Sequence, residues 1–430
     1  MVTDILFPKP DQQQRNTPSL REALGFWWKL GWISFGGTAA HLAIMHSELV
    51  EKRQWIESDH FFHALNHCML LPGPEAQQLA IYIGWKLHGK LGGLLAGTLF
   101  VLPSTAILLC LSLVYVLFGN RLWMANLFHM LKPIVAALVL LALIQIGRRA
   151  LTSPLQWCVA IISFLCMTVF HIPLPWIMAI LVAVAIAVAA LRRLQSRDGD
   201  DVQSRKPKGH EFRNMSRRVL GIVSGCAVVG ILPLVFLCLF GKDFRFWLQL
   251  SGFFTRTAFV TIGGSYTVLP YVAQVAVAKF AWLSHAEMID GFAMAETTPG
   301  PLIIVVGFVG FMAGFHHFHH SIAMGTIALL ITIFYTFLPC FLLVFVGAPW
   351  IEKANESQSN RLVLKCITAV VVAAILQLTI FLIHAVLVPA ESGRIDPWAA
   401  VWVVSAVLLL QLVRLRKGPQ RSTGKDPYDR

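Results

Sequence analysis

Leu71-Pro72-Gly73-Pro74-Glu75-Ala76-Gln77-Gln78-Leu79-Ala80 interrupts an otherwise apolar stretch, and it has a twin in Thr298-Pro299-Gly300-Pro301-Leu302. Proline donates no backbone hydrogen bond and pushes the residue before it out of helical geometry. In hydrocarbon, each freed backbone group must be met by protein or line a polar cavity. Pro74 and Pro301 suit the first position of the half-helix that follows, where a missing N–H costs nothing. Such a start presents free amides and a partial charge of roughly +0.5, a ready anion site. One Pro-Gly-Pro alone would read as a kink or an external turn; two in register favour a site.

The register comes from a duplication. Sliding the chain by 227 residues puts Gly36-Gly37 on Gly263-Gly264, Lys52 on Lys279, Trp55 on Trp282 and the first Pro-Gly-Pro on the second. Phe26, Leu42 and Val50 coincide with Phe253, Leu269 and Val277, making ten identities over the 49 positions 26–74. At other offsets Leu102-Pro103 matches Leu338-Pro339, and Pro175-Trp176 matches Pro397-Trp398. Internal repetition of this kind defines the architecture before any single helix does.

Composition sets the medium. Hydrophobic residues make up 57% of the 430 and charged ones 13%, with a mean hydropathy of +0.68. A soluble domain carries about 25% charged residues, so a soluble enzyme, a disordered hub and a secreted disulfide scaffold are excluded. The net charge of +13 could suggest nucleic acid, but 192–218 carries +5 of it and 414–430 carries +4. Basic stretches flanking apolar blocks mark cytoplasmic loops; no nucleic-acid partner is expected. The eight cysteines are scattered without a C-x-x-C pair and read as apolar fillers. Residues 1–20 lack the apolar core of a signal peptide.

Apolar runs long enough to cross a bilayer are Gly92–Phe118, Leu127–Ile146, Leu155–Phe170, Ile172–Leu191, Val219–Phe240, Ser321–Gly347 and Pro397–Val413. Leu362–Val388 reads as one tilted helix or as a hairpin, and 26–85 and 253–314 are apolar but broken. The organisation is a polar segment 1–19, a first repeat 20–191, a basic linker 192–218, a connecting helix 219–240, a second repeat 241–413 and a basic tail 414–430. One extra crossing between the copies inverts the second. The expected fold is an all-α polytopic membrane protein of two inverted repeats with about 12 transmembrane segments, or 13 if 362–388 is a hairpin. Inverted repeats with broken helices are a recurring build of secondary transporters.

Candidate substrate-binding residues follow from the breaks: Pro72, Gly73, Pro74 and Gln78, and Pro299, Gly300 and Pro301. The glycine pairs add Ser34, Gly36, Gly37 and Thr38 in one copy and Thr261, Gly263, Gly264 and Ser265 in the other. These pairs serve close approach to a ligand or plain helix packing. Gly89, Gly93 and Gly97 read as packing. Lys29 and Arg256 occupy equivalent positions and either face an anion or snorkel to the surface. Glu75 and Glu296 are the carboxylates placed for proton coupling. Gln77, His41, His67 and Thr298 are lesser candidates. His316-His317-Phe318-His319-His320 lacks partners and a twin, so no metal and no cofactor are expected. No nucleotide-binding or acyl-transfer motif is present, which points to proton motive force rather than to an enzyme. The competing class is an intramembrane enzyme on lipid-linked substrates, with the Glu75 and Glu296 pair as its catalytic groups.

The residues Phe26 to Trp32, Ser34-Phe35-Gly36-Gly37, Ala40-His41, Trp55 and Leu71 to Ala80 through Tyr82 and Gly84 resemble the first domain of the chromate ion transporter family. Gly263-Gly264, Tyr266, Leu269-Pro270, Trp282-Leu283 and Pro299-Gly300-Pro301 resemble its second. Thr38, Ser265 and Ile262 depart from the residues usual there. The resemblance covers about 20–415. It implies a multi-pass carrier of the bacterial inner membrane that exports chromate and also handles its isostere sulfate, with N-terminus and linker cytoplasmic. An organic anion as substrate and a homodimer as assembly stay open.

Overall fold

The computed structural model describes residues 18–187 apart from 36, 70, 120, 171, 173, 175, 182, 185 and 186, and then 209–240, 243–261, 265–351, 358–387 and 397–416. Most of the polar N-terminal segment, the linker up to 208, the tail beyond 416, and Gly36, Gly263 and Gly264 lie outside the described residues. Every regular element among the described residues is helical.

The first half contains α1 (Leu20–Ile33), α2 (Gly37–His46), α3 (Ser58–Cys68), α4 (Glu75–Phe118), α5 (Leu122–Ala150) and α6 (Pro154–Thr168). Then come α7 (Gly209–Phe240), α8 (Phe244–Val260), α9 (Ser265–Gln274), α10 (His285–Thr297), α11 (Val305–His317), α12 (Ile322–Ile351), α13 (Gln358–Leu387) and α14 (Pro397–Arg416). As far as residue 387, the stretch from 362 is thus part of one continuous helix rather than a hairpin.

The 227-residue shift reappears in three dimensions. α1 and α8 end at the equivalent residues Ile33 and Val260, and α3 and α10 begin at the equivalent Ser58 and His285. Single π-turns, Ser47–Lys52 and Val275–Lys279, follow α2 and α9. Gln54 and Ala281, again equivalent, both take positive φ, 54° and 50°. α1 packs on α4 as α8 packs on α12. Similar sequence at matched positions yields the same breaks because breaks are local: a β-branched or proline residue acts on its own turn.

α4 is two helices. His88 and Gly89 leave helical geometry, Gly89 with φ 65°, so a half-helix 75–87 turns back into a long arm. Nothing approaches within 4 Å of a Cβ built on Gly89. Its role is therefore this turn, whereas Gly93 and Gly97 do pack, against Ile81 and the rings of Phe345 and Phe341. In the second half the short turn Leu302–Ile304 and α11 form the corresponding half-helix, which packs back on α12 after the break at Phe318–Ser321. A half-helix of 13 residues is about 20 Å long, short of the roughly 30 Å hydrocarbon core.

Among the described residues, five helical stretches are long and apolar enough to cross a membrane: Glu75–Phe118, Leu122–Arg148, Val219–Leu239, Ile322–Gly347 and Lys365–Leu387. Large apolar side chains such as Leu232 and Phe236 on α7 face outward, as they do where lipid is the solvent. The halves interlock: α5 packs on α13, α10 and α14, and α12 packs on α4.

Candidate functional site

The site is built where each half's broken helix meets the other's Pro-Gly-Pro. α1 stops at Ser34, whose hydroxyl donates to Leu30 O at 2.6 Å. α8 stops at Thr261, whose hydroxyl donates to Thr257 O at 2.7 Å. This back-bonding ties each hydroxyl into its own last turn. The carbonyls of the same two residues point across the molecule. Gly73 N–H donates to Thr261 O at 2.5 Å, and Gly300 N–H donates to Ser34 O at 2.6 Å. Both bonds join the halves, and the 227-residue shift converts one into the other.

Glycine is required at both points. Gly73 has φ +129° and Gly300 φ +99°, conformations that strain any residue with a Cβ. A Cβ on Gly73 would also stand 2.6 Å from Cys340 Sγ and from Gln78 Nε2, and one on Gly300 would collide with the Ser104 side chain. Ser104 and Cys340 follow the matched Leu-Pro pairs 102–103 and 338–339, so this buttressing is reciprocal as well.

Behind each loop a half-helix starts. Pro74 is the N-cap of α4 with no side-chain cap, so the amides of Glu75, Ala76 and Gln77 have no acceptor one turn back. Pro301 caps the Leu302–Ile304 turn in the same way. All these residues are buried. Gln78 Nε2 donates to Pro72 O at 2.5 Å, which closes the loop and leaves Gln78 Oε1 without a partner. Among the described residues, the whole Gln77 carboxamide, Ser104 Oγ, Thr257 Oγ1 and His41 Nδ1 are also buried and unpartnered. His41 is fixed by its other nitrogen, 2.8 Å from Ser34 O. An unsatisfied buried polar group costs about 1–3 kcal/mol, so a set gathered around two symmetric loops requires water or a polar ligand.

The remaining candidates divide sharply. Glu75 is buried at the start of α4, while Glu296, Thr38 and His67 are half-buried. Thr298 is buried, its hydroxyl donating to Ala295 O at 2.8 Å. Gly37 and Ser265 open α2 and α9. Lys29 and Arg256 are exposed and stand apart from the buried polar set. The reason is periodicity: α1 buries Ala23, Phe26, Trp27, Leu30 and Gly31, which leaves Lys29 on the opposite face. Arg256 is excluded from the α8 core by the same spacing. The histidine run is occupied by structural pairs: His316 with Glu287 Oε1 at 3.4 Å and Trp282 O at 2.9 Å, and His317 with Asp243 Oδ2 at 2.7 Å.

Sequence reasoning passed over Ser104 and Cys340, though the matched Leu-Pro pairs beside them were a usable signal. It also passed over Lys132 and Asp290, charges in apolar surroundings.

A family described as "Chromate transporter" matches residues 21–188 and again 248–419. The chain is 27% identical over 401 residues to the chromate transport protein of Cupriavidus metallidurans, covering 93% of this chain and 90% of that one. It is 27% identical over 363 residues to a probable chromate transport protein of Synechococcus elongatus, covering 83% of each. Against the chromate transport protein of Pseudomonas aeruginosa it is 30% identical over 383 residues, 86% of this chain and 83% of that one. No solved structure matches.

Proposed function

The chain belongs to the chromate transporter family, and from that premise we propose that it exports chromate as a secondary carrier driven by proton motive force. The reciprocal pair of bonds, Gly73 to Thr261 and Gly300 to Ser34, carries the reading. It sets two half-helix starts at one inter-half seam, each with free amides and a charge of roughly +0.5. A tetrahedral dianion matches that geometry: its oxygens accept hydrogen bonds from several directions, and its charge is offset by two converging dipoles. Gln77 and Ser104 are the side-chain donors of the shell, and Pro72, Gly73, Pro74, Gln78, Pro299, Gly300 and Pro301 shape its walls. Thr38, and the starts of α2 at Gly37 and α9 at Ser265, border it.

Lys29 and Arg256 serve outside this shell as anchors at the head-group level, consistent with their exposure. Glu75 and Glu296 are the carboxylates nearest the breaks. The halves are inverted repeats with twelve crossings, and the basic linker and tail keep to the cytoplasm of the bacterial inner membrane. Alternating access rocks one half against the other about the crossed bonds. Sulfate, isosteric with chromate, enters the same shell.

The test is uptake of radiolabelled chromate into everted vesicles, with and without a proton gradient and with sulfate as competitor. Accumulation above empty-vector vesicles is expected; none would sink the carrier reading.

A further inference from the structure

Away from the crossed bonds, one cluster of ionisable side chains joins the two halves. Asp290 lies on α10, is 6% exposed, and pairs with Lys132 Nζ of α5 at 2.9 Å. Its second oxygen accepts a hydrogen bond from the Tyr115 hydroxyl of α4 at 3.0 Å. Tyr115 and Lys132 belong to the first half and Asp290 to the second. Glu287, one turn earlier on α10, faces the cluster and is held by His316 of α11 at 3.4 Å. Among the described residues, neither α13 nor the Leu302–Ile304 turn, both packed on α10, brings another charged partner to Asp290.

Three features set this cluster apart from a static ion pair. A buried charge in an apolar surround is tolerated only with its partner, so the pair holds only while Asp290 is ionised. α10 runs from Asp290 straight to Thr297 and into Pro299-Gly300-Pro301, about 10 Å along one rigid helix. And the carboxylate is not duplicated: the residue equivalent to Asp290 in the first half is His63. Glu75, by contrast, opens the first half-helix, and among the described residues no hydrogen bond or ion pair joins it to the second half.

We propose that Asp290 is the proton-binding residue of the transport cycle, with Lys132 and Tyr115 as its partners, an inference that rests on the carrier reading above. A proton from the aqueous phase adds to the Asp290 carboxylate and the ion pair opens. Lys132 keeps its ammonium charge, so the pair goes from neutral to plus one. The released α10 shifts the second Pro-Gly-Pro relative to the first half, and loss of the proton on the other side restores the pair. No covalent bond other than O–H forms or breaks.

The experiment reconstitutes the full chain in proteoliposomes and compares two readouts, chromate counterflow without a gradient and accumulation under about 2 pH units, which one exchanged proton can raise ~100-fold. Asp290→Asn is expected to keep counterflow within about threefold and to lose the response to the gradient. Tyr115→Phe is expected to keep the response with its pH profile displaced. A full gradient response in Asp290→Asn, or its loss in Glu75→Gln alone, overturns the proposal. If Asp290→Asn does not fold, Tyr115→Phe decides, and an unshifted profile overturns it. Absence of counterflow in the unmodified protein overturns instead the carrier reading on which the proposal stands.

Discussion

The two Pro-Gly-Pro loops share a backbone and differ in chemistry. Both glycines take positive φ, both donate across the seam, at 2.5 and 2.6 Å, and both are buttressed by the residue after a Leu-Pro pair in the other half. Yet the first half-helix opens with Glu75, Gln77 and Gln78, and its twin places Leu302, Ile304 and Val305 at the equivalent positions. His41 is matched by buried Val268, and Ser104 by buried Cys340. Duplication preserved the frame, whose hydrogen bonds need both copies, and left side chains free to specialise. Most of the buried, unpartnered polar groups beside the loops, those of His41, Gln77, Gln78 and Ser104, belong to the first half, with Thr257 in the second.

This contrast can be broken at graded points. The largest effect is expected where the halves are alike. Gly73→Ala and Gly300→Ala should each abolish flux and lower thermal stability, since strain at such φ values costs on the order of 1–3 kcal/mol before the clash is counted. Flux surviving in one but not the other, measured in the same vesicles, would show that the frame is not shared. Next comes the point where they differ. Gln77→Leu should weaken chromate binding by roughly 10- to 100-fold, the value of a hydrogen bond to a charged group, while leaving thermal stability intact or improved because an orphaned carboxamide disappears. Ile304→Leu, its twin, should change affinity less than about twofold. Equal losses in titrations of the two variants would remove the asymmetry. The smallest effect is expected at the outer cations: Lys29→Ala and Arg256→Ala should each shift affinity by no more than about threefold, in keeping with exposed charges. A tenfold loss at either would draw them back into the shell.

Much of the fold was legible because its signals are local. Pro72, Pro74, Pro299 and Pro301 fall where helices stop, each acting on its own turn, while Pro103 and Pro270 lie inside α4 and α9. The half-helices, the paired breaks and the continuity of the duplicated elements follow from those positions. The site was less legible. Lys29 and Arg256 attracted notice because charge is rare in this chain, but the burial pattern of α1 and α8 turns both outward. Ser34 and Thr261 matter through their carbonyls more than through the hydroxyls that marked them. Asp290 and Lys132 lie 158 positions apart, and no local pattern links them.

The amino-acid sequence by itself determined the medium, the duplication and the places where helices must stop, since hydrophobicity and proline act on the residue that carries them. Only the tertiary structure decided what meets at those stops. A freed amide can be satisfied by any carbonyl within reach, and reach is set by how two halves cross. Here each half completes the loop of the other, and buried polar groups are left over beside the crossing.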